Sequence, residues 1–350
     1  MAYSDIKDPS AHFQTMLWTG NASSNEITFD GNSDLQADWI WHKEPNDSNG
    51  WHQTDTSIGI ANYLASESTA AEYGVGSAYV SAIGSNSITY GSGDSSFNSN
   101  SVAQATWAWK ANGSTTASNT SGSITSTVQA NTDAGFSIVT YTGTGSTSTV
   151  GHGLGVKPDM MILKNRDSGS RNWIVYHKDT DASTNYFLRL NTTDAKSYSG
   201  GRFNGTQPTS SVFTVGTAVQ TNENGDGIVA YCFNSVQGYS KFGKYVGNGS
   251  TDGAFVHTGF KPAFVMTKNT SATDSWVIMD KKRSPSNVAN KYLLPNSSGA
   301  EGTNFDMFDF VSNGFKCRRA TSQNASGNTF IYMAFAESPF VAGGVPTTAR

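Results

Sequence analysis

The sequence predicts an all-β protein built of three tandem antiparallel β-sandwich units, of jelly-roll or lectin-like type and about 100 residues each. Two observations predict this architecture. Short runs of β-branched and aromatic residues, such as Ser211–Val215, alternate with turn-forming Gly, Asn, Asp and Pro. A set of landmark residues also recurs three times along the chain, which indicates an internal repeat.

The landmarks keep nearly constant spacing. The first offset is 121 to 124 residues and the second is 102 to 106 residues. The repeated positions are a lysine (Lys43, Lys164, Lys268), a tryptophan (Trp51, Trp173, Trp276), a tyrosine (Tyr63, Tyr186, Tyr292) and a closing aromatic residue (Trp109, Phe233, Phe335). Their matched positions on predicted strands favour a role in the core of each unit.

The offsets divide the chain into segments. Each unit opens on an aromatic strand that runs into a Gly/Asn turn, at Phe13, Phe136 and Phe242. The dipeptides Asn224-Gly225 and Asn313-Gly314, each flanked by alternating apolar residues, predict the turns of β-hairpins in the second and third units. The predicted segments are an N-terminal arm (1–12), unit 1 (13–110), a Ser/Thr/Gly linker (111–135) with an edge strand at 124–128, unit 2 (136–238), unit 3 (239–340) and a C-terminal tail (341–350).

Charge and composition exclude several classes of function. The 350-residue chain has a formal net charge of −4 and only 14% charged residues, so it lacks the basic surface of a nucleic-acid-binding protein. No apolar run approaches the roughly 18 residues that span a membrane, and we expect no signal peptide and no membrane insertion. Cys232 and Cys317 lie at non-equivalent positions, which favours two buried free thiols.

Candidate catalytic and metal sites are weak in this sequence. His152 with Lys157, and His257 with Lys261, resemble acid–base pairs. Unit 1 has no histidine at this position. The pattern therefore favours a structural role, in which the proline fixes φ where a strand begins. The acidic turn at 30–34 lacks the later ligands of a calcium loop. Phosphate loops, zinc spacings and matched carboxylate pairs are absent from the sequence. We therefore predict no catalytic residues, no metal, no cofactor and no enzyme activity.

One cluster could instead bind sugars. Unit 1 carries more aromatic and histidine side chains than the repeat requires. At least one of these rings is expected to remain partly exposed beside amide groups, as in sugar-binding surfaces. The candidate glycan-binding residues are Trp39, Trp41, His42 and Trp51.

Several segments resemble structural proteins of tailed bacteriophages that infect marine bacteria, including cyanophages. The segments that carry the resemblance are 1–15, 31–39, 135–143, 153–159 and 332–337. Such proteins consist of repeats of a domain of unknown function, so the resemblance implies a location in the virion and transfers no ligand or catalytic residue. At Gln36-Ala37 unit 1 departs from the Lys-Pro of the other units.

These observations together predict a non-enzymatic virion protein on the particle surface. The favoured role is a fibre or appendage that attaches to host-surface glycans. The first alternative is a capsid or tail decoration (cement) protein without host contact, and a weaker alternative is a polysaccharide depolymerase. The expected partners are other virion proteins, a host glycan, and further copies of the chain in a homo-oligomer, with no nucleic acid.

Overall fold

The structure is a computed structural model that describes residues 4, 6–93, 96–180, 183–339, 341–342 and 345–346, with side-chain surroundings given up to residue 339. Its regular secondary structure is almost entirely antiparallel β-strand, which confirms the predicted all-β class. The one α-helix in these ranges, α1, spans Val219–Asn222. Short 3-10 helices lie at Pro9–Ala11, Gly76–Ala78 and Ser322–Asn324.

The strands follow one another along the chain with short connections. The first group is β1 (Phe13–Thr19), β2 (Asn25–Thr28), β3 (Trp39–Lys43), β4 (His52–Asp55), β5 (Asn62–Tyr63), β6 (Tyr73–Gly74), β7 (Val80–Ile83), β8 (Ser87–Tyr90) and β9 (Ala103–Trp109). The second group is β10 (Ala117–Asn119), β11 (Ser126–Asn131), β12 (Phe136–Thr142), β13 (Ser148–Gly151), β14 (Met160–Asn165), β15 (Ile174–His177), β16 (Tyr186–Arg189), β17 (Ser197–Tyr198), β18 (Val212–Val215) and β19 (Gly227–Phe233). The third group is β20 (Ser240–Val246), β21 (Phe255–His257), β22 (Phe260–Asn269), β23 (Val277–Asp280), β24 (Phe308–Val311), β25 (Gly314–Cys317), β26 (Thr329–Pro339), β27 (Val341–Ala342) and β28 (Val345–Pro346).

Three larger sheets share one strand order. Sheet 1 has the order β1-β9-β3-β4, and sheet 3 has the order β20-β26-β22-β23. Sheet 2 contains the equivalent set β12-β19-β14-β15, extended on one side by β11 and β10 and on the other by β16 and β17. In each sheet the strand that carries the landmark lysine (β3, β14 or β22) therefore lies between two others. One is the closing strand (β9, β19 or β26), and the other is the strand after the landmark tryptophan (β4, β15 or β23).

Each large sheet is covered on its outer face by a smaller one. The small sheets are β2-β8-β7, β13-β18 and β21-β25-β24. Between each pair lies a separate apolar cluster, and Cys232 and Cys317 are buried free thiols in the second and third of these, as predicted. The hairpin predicted at Asn313-Gly314 is confirmed, since β24 and β25 pair with Val311 opposite Gly314. The one predicted at Asn224-Gly225 is not, because that turn leads from α1 into β19.

The inner faces of the three large sheets pack against one another in a single core. The closing strands show why, because successive side chains of a strand point to opposite faces. In β19, Tyr231 and Phe233 face the shared core, whereas Ala230 and Cys232 face the outer cluster of sheet 2. The shared core contains the predicted landmarks Trp51, Trp173, Trp276, Trp109, Phe233 and Phe335, all at most 1% exposed. The tyrosine landmarks Tyr63, Tyr186 and Tyr292 are half-buried.

The strand register corrects one predicted alignment. Phe13 lies opposite Trp109 and Phe136 lies opposite Phe233, but the residue opposite Phe335 is Ser240. Phe242, which the sequence pattern aligned with Phe13 and Phe136, is thus two residues further along its strand. A two-residue shift keeps the side chain on the same face, so the apolar pattern alone does not reveal it.

A buried asparagine repeats with the sheets and was not recognised in the sequence. Asn98, Asn222 and Asn324 are each fully buried, and each accepts a backbone N–H from the turn that follows the first strand. Glycine is required at that turn because another backbone segment lies too close to leave room for a Cβ atom. A Cβ atom at Gly143, for example, would lie 2.1 Å from the carbonyl oxygen of Glu223.

The segment 111–135, predicted as a linker, belongs to sheet 2. Its strand β11 pairs with β12, with Gln129 opposite Ile138, and β10 pairs with β11. The strand expected at 124–128 therefore exists, two to three residues later than predicted, but the edge of the sheet is β10 and not this strand. It extends the sheet instead of leaving a free connection.

Because the three large sheets share one core, we expect the full chain to unfold in one cooperative transition. Calorimetry should give equal calorimetric and van't Hoff enthalpies. A fragment of residues 136–350 should not fold, since the inner faces of sheets 2 and 3 would lose the aromatic cover of sheet 1. A cooperative transition in that fragment would contradict the expectation and show that the sheets fold separately.

Candidate functional site

The residues proposed to bind glycans are all inside the protein. Trp39, Trp41, His42 and Trp51 are each 0% exposed, so the expectation that one ring stays exposed is wrong. The three tryptophan rings fill the shared core instead, whereas His42 lies on the other face of β3 against Tyr79 and Tyr90. The ring of Trp39, for example, stacks on that of Tyr231 in sheet 2, with centroids 4.5 Å apart.

The three landmark tryptophans form a closed ring of contacts between sheets. Each indole N–H donates to a backbone carbonyl of the next unit along the ring. Trp173 Nε1 donates to Ala65 O at 2.9 Å, and Trp276 Nε1 donates to Arg189 O at 2.8 Å. Trp51 Nε1 closes the ring on Leu294 O and Ser297 O, both at 3.0 Å.

Backbone hydrogen bonds repeat this cyclic pattern. The N–H of Glu72 donates to Arg166 O at 2.7 Å, and the N–H of Lys196 donates to Thr270 O at 3.2 Å. The third bond runs from Glu301 N to Pro45 O at 2.6 Å. The regions around the three large sheets therefore each contact both of the others through a cyclic set of backbone hydrogen bonds.

The landmark lysines are buried and bind carbonyl groups. Lys164 Nζ donates to Thr69 O of the neighbouring unit at 3.1 Å and to Arg171 O of its own unit at 2.6 Å. Lys268 Nζ likewise binds Thr193 O of its neighbour. Lys43 Nζ binds only its own unit, at Glu44 O and Asp47 O. Burial lowers the pKa of Lys164 to about 7 and that of Lys43 and Lys268 to about 8.

A third set of polar groups lies at the C-terminal ends of β4, β15 and β23, which take the same place in the three large sheets. Asp55 accepts a hydrogen bond from Tyr231 Oη at 2.7 Å, and burial raises the pKa of Asp55 to about 6. In the equivalent places, Asp280 accepts from Trp107 Nε1 at 3.3 Å, whereas His177 Nε2 lies 3.4 Å from Tyr332 O. Burial lowers the pKa of His177 to about 4. These groups connect the sheets and do not converge on a reaction site.

The remaining candidates also have structural roles. His152 is buried, with its Nε2 3.2 Å from Thr209 O, and burial lowers its pKa. Asp30, in the calcium-like turn, pairs with Lys282 at 2.6 Å. Within the described part of the chain, no group of three or more His, Cys, Asp or Glu side chains could hold a metal ion, and no helix is long and apolar enough to cross a membrane.

A groove on the surface carries several charged and hydroxyl side chains. It has a volume of about 590 Å³ and lies between β1 of sheet 1 and the turn that follows β23. Thr15, Lys281 and Lys282 are among its lining residues. The buried hydroxyl of Thr15 has no hydrogen-bond partner among the described residues. We name this feature the β1 groove.

A family profile matches residues 8–339, and its family is described as a domain of unknown function (DUF7483). The chain belongs to the DUF7483 family. The match spans all three large sheets. No curated protein and no solved structure matches the chain.

Replacing Trp173 by Phe should lower the free energy of unfolding by about 1 kcal/mol beyond the loss of packing, because the half-buried carbonyl of Ala65 loses its donor. Trp39→Phe is the matched control, since the buried indole N–H of Trp39 has no partner among the described residues. Urea denaturation of both variants measures the difference. Equal destabilisation would show that the indole hydrogen bond adds nothing to packing.

Lys164→Met tests the buried lysines by pH. In the folded protein Lys164 loses its proton near pH 7, whereas in the unfolded chain it does so near 10.5. Between these values the unfolded state binds more protons, so Lys164 makes the unfolding free energy rise with pH. The difference between wild type and Lys164→Met should therefore grow from pH 7 to pH 9, by at most about 1.4 kcal/mol per pH unit.

The control for this experiment is Lys157→Met, which removes an exposed lysine. Its stability difference from wild type should be small, because the side chain is exposed. A difference for Lys164→Met that does not change with pH would show that Lys164 stays protonated in the fold.

Proposed function

We propose that this protein is a non-enzymatic structural component of the surface of a tailed-phage particle. The observation that carries the proposal is that the buried polar and titratable groups described above hold the three sheets together. The landmark lysines, the tryptophan N–H groups and the Asp55, His177 and Asp280 set all bind between sheets or within a turn. The resemblance to phage structural proteins supports the location in the virion.

We further propose that the chain consists of three copies of one β-sandwich module, at 13–110, 136–238 and 239–340. The common strand order of the three large sheets supports this interpretation. So do the cyclic contacts of the landmark tryptophans, since three copies arranged around an axis place the same residue in the same contact. A rigid body of this kind suits a part that must keep its shape in an assembly.

Of the two virion roles, we favour a decoration protein that binds capsid or tail subunits. The groups first chosen to bind glycans are buried, and the unpaired edge of β1 instead offers a surface for another protein. Open strand edges pair readily with other chains. The same surface could anchor a fibre, so this role does not exclude further units on the particle.

Attachment to host glycans is the second candidate, and a different residue favours it. Tyr198 is 68% exposed at the edge strand β17 and lies beside Tyr186, with ring centroids 5.3 Å apart. An exposed aromatic ring can stack on a sugar, and Lys196 lies 4.7 Å from the centre of the Tyr186 ring. The hydroxyl- and amide-rich composition suits such a surface.

Antibody labelling of intact particles, followed by electron microscopy, tests the proposal directly. We expect label on the particle surface, at the head or tail lattice for a decoration protein. Label on a distal appendage, together with host-cell binding by the purified full chain that Tyr198→Ala abolishes, would favour attachment instead. Absence of the protein from purified particles, or release of reducing sugars from host envelope polysaccharide by the full chain, would contradict the proposal.

A further inference from the structure

The outer edge of β1 is an unpaired strand edge. Within the described residues, the sheet neighbour of β1 is β9 alone. The bonds at both ends of this pair, Lys110 N to His12 O and Gly20 N to Val102 O, show that even-numbered residues of β1 bond to β9. Antiparallel pairing alternates, so the N–H and C=O groups of Phe13, Thr15 and Leu17 point away from β9.

The equivalent edge in sheet 2 is occupied. There β11 pairs with β12, with Asn131 opposite Phe136 and Gln129 opposite Ile138. The register places Thr15 at the position of Ile138, because Thr15 lies opposite Trp107 and Ile138 lies opposite Tyr231. The chain itself therefore shows which kind of ligand this edge accepts, namely an extended antiparallel strand.

Gln129 of β11 contacts the neighbouring unit, so it shows which kind of side chain an added strand would place there. Its amide nitrogen donates to Thr56 Oγ1 at 2.9 Å and to Ser57 Oγ at 3.0 Å. These two residues follow Asp55 at the end of β4. In the unit facing β1, the residues that follow the equivalent Asp280 are Lys281 and Lys282. A neutral amide therefore fits the occupied edge, whereas a carboxylate would fit the open one.

The lysine side chains in the β1 groove also favour a carboxylate on the added strand. Lys282 pairs with Asp30 and Lys261 pairs with Glu337, but Lys281 donates only to the carbonyl of Pro285 and has no acidic partner among the residues described. Thr15, whose buried hydroxyl has no hydrogen-bond partner among the described residues, lines the same groove. A carboxylate opposite Thr15 would enter the groove that the ammonium group of Lys281 also lines.

The equivalent edge of sheet 3, on β20, is less available for pairing with an added strand. In β20 the N–H of Phe242, which is the counterpart of Thr15, already donates to Ser235 Oγ at 3.1 Å. On β1 no hydrogen bond within the described part of the chain uses the outward N–H of Thr15 or Leu17, and Leu17 is 44% exposed. The β1 edge is accordingly the one prepared for an added strand.

We propose that β1 binds an extended segment of another virion protein by strand addition, with an Asp or Glu of that segment opposite Thr15 and next to Lys281. The bound strand runs antiparallel to β1, as β11 runs to β12. Backbone hydrogen bonds give the affinity, and the lysine selects an acidic residue. This inference deepens the proposed function, on which it rests, by naming the surface through which the protein joins the particle.

A labelled peptide of residues 124–133 with Gln129→Glu is a direct probe, and the same peptide with Gln129 is its control. Fluorescence anisotropy with the full-length protein should show about tenfold tighter binding of the Glu peptide at low salt, a preference that falls as salt screens the charge. Lys281→Thr, which introduces the residue found at Thr56, should remove the preference. Equal binding of the two peptides to wild type would overturn the proposal.

The backbone contacts are tested at Leu17. Leu17→Pro removes an N–H that points away from β9 and makes no bond to it, so the fold should be kept. The affinity for the Glu peptide should fall about tenfold. Leu17→Ala, which keeps the N–H, should bind within about threefold of wild type. Equal effects of both variants would show that the strand does not pair with β1.

Two further outcomes separate the alternatives. If wild type is a dimer that Leu17→Pro dissociates, a second copy occupies the edge and the proposal is wrong. If Lys281→Thr self-associates without losing peptide preference, the lysine protects the edge from pairing, and the proposal is wrong as well. Particle labelling is independent of these results. Labelled particles without peptide preference reject the inference alone, and peptide preference without label rejects the virion location alone.

Discussion

Burial of both faces of the three large sheets is the constraint on which the structure depends. A sheet of four strands with apolar side chains on both faces needs cover on both, and each small outer sheet covers only one. The inner faces can be buried only against one another, so Phe13, Trp109, Phe233 and Phe335 meet from distant parts of the chain. The ring of tryptophan hydrogen bonds follows from this packing, since it satisfies carbonyl groups that the packing removes from water.

The shared core also explains why equivalent positions differ in chemistry. Trp107 and Tyr231 can donate to a carboxylate, and they contact Asp280 and Asp55 respectively. Met333 takes the third place, opposite Phe242 in its sheet, and has no such donor. The strand end that corresponds to Asp55 and Asp280 there carries His177, whose Nε2 lies 3.4 Å from the carbonyl oxygen of Tyr332. An unpaired carboxylate at that place would be costly to bury, whereas an imidazole can be buried in its neutral form.

The strand edges are where the three units differ most. One edge is occupied by β11, one donates a hydrogen bond to its own Ser235, and one is open beside Lys281. Three large sheets with one strand order thus present three different edges to their surroundings. Under the proposed function, these edges are the surfaces available to partners, because the groups inside the protein hold the sheets together.

The sequence by itself determined the β class, the hairpin at Asn313-Gly314 and the buried free cysteines. It did so because turn residues and apolar alternation are local properties. Only the tertiary structure decided that Trp39 and Trp41 are buried, that 111–135 joins sheet 2, and that Ser240 takes the place expected for Phe242. It also brought Thr15 and Lys281 together across more than 260 residues of chain. Exposure, register and such pairs depend on which faces and edges meet in the folded chain, and a linear pattern does not contain that information.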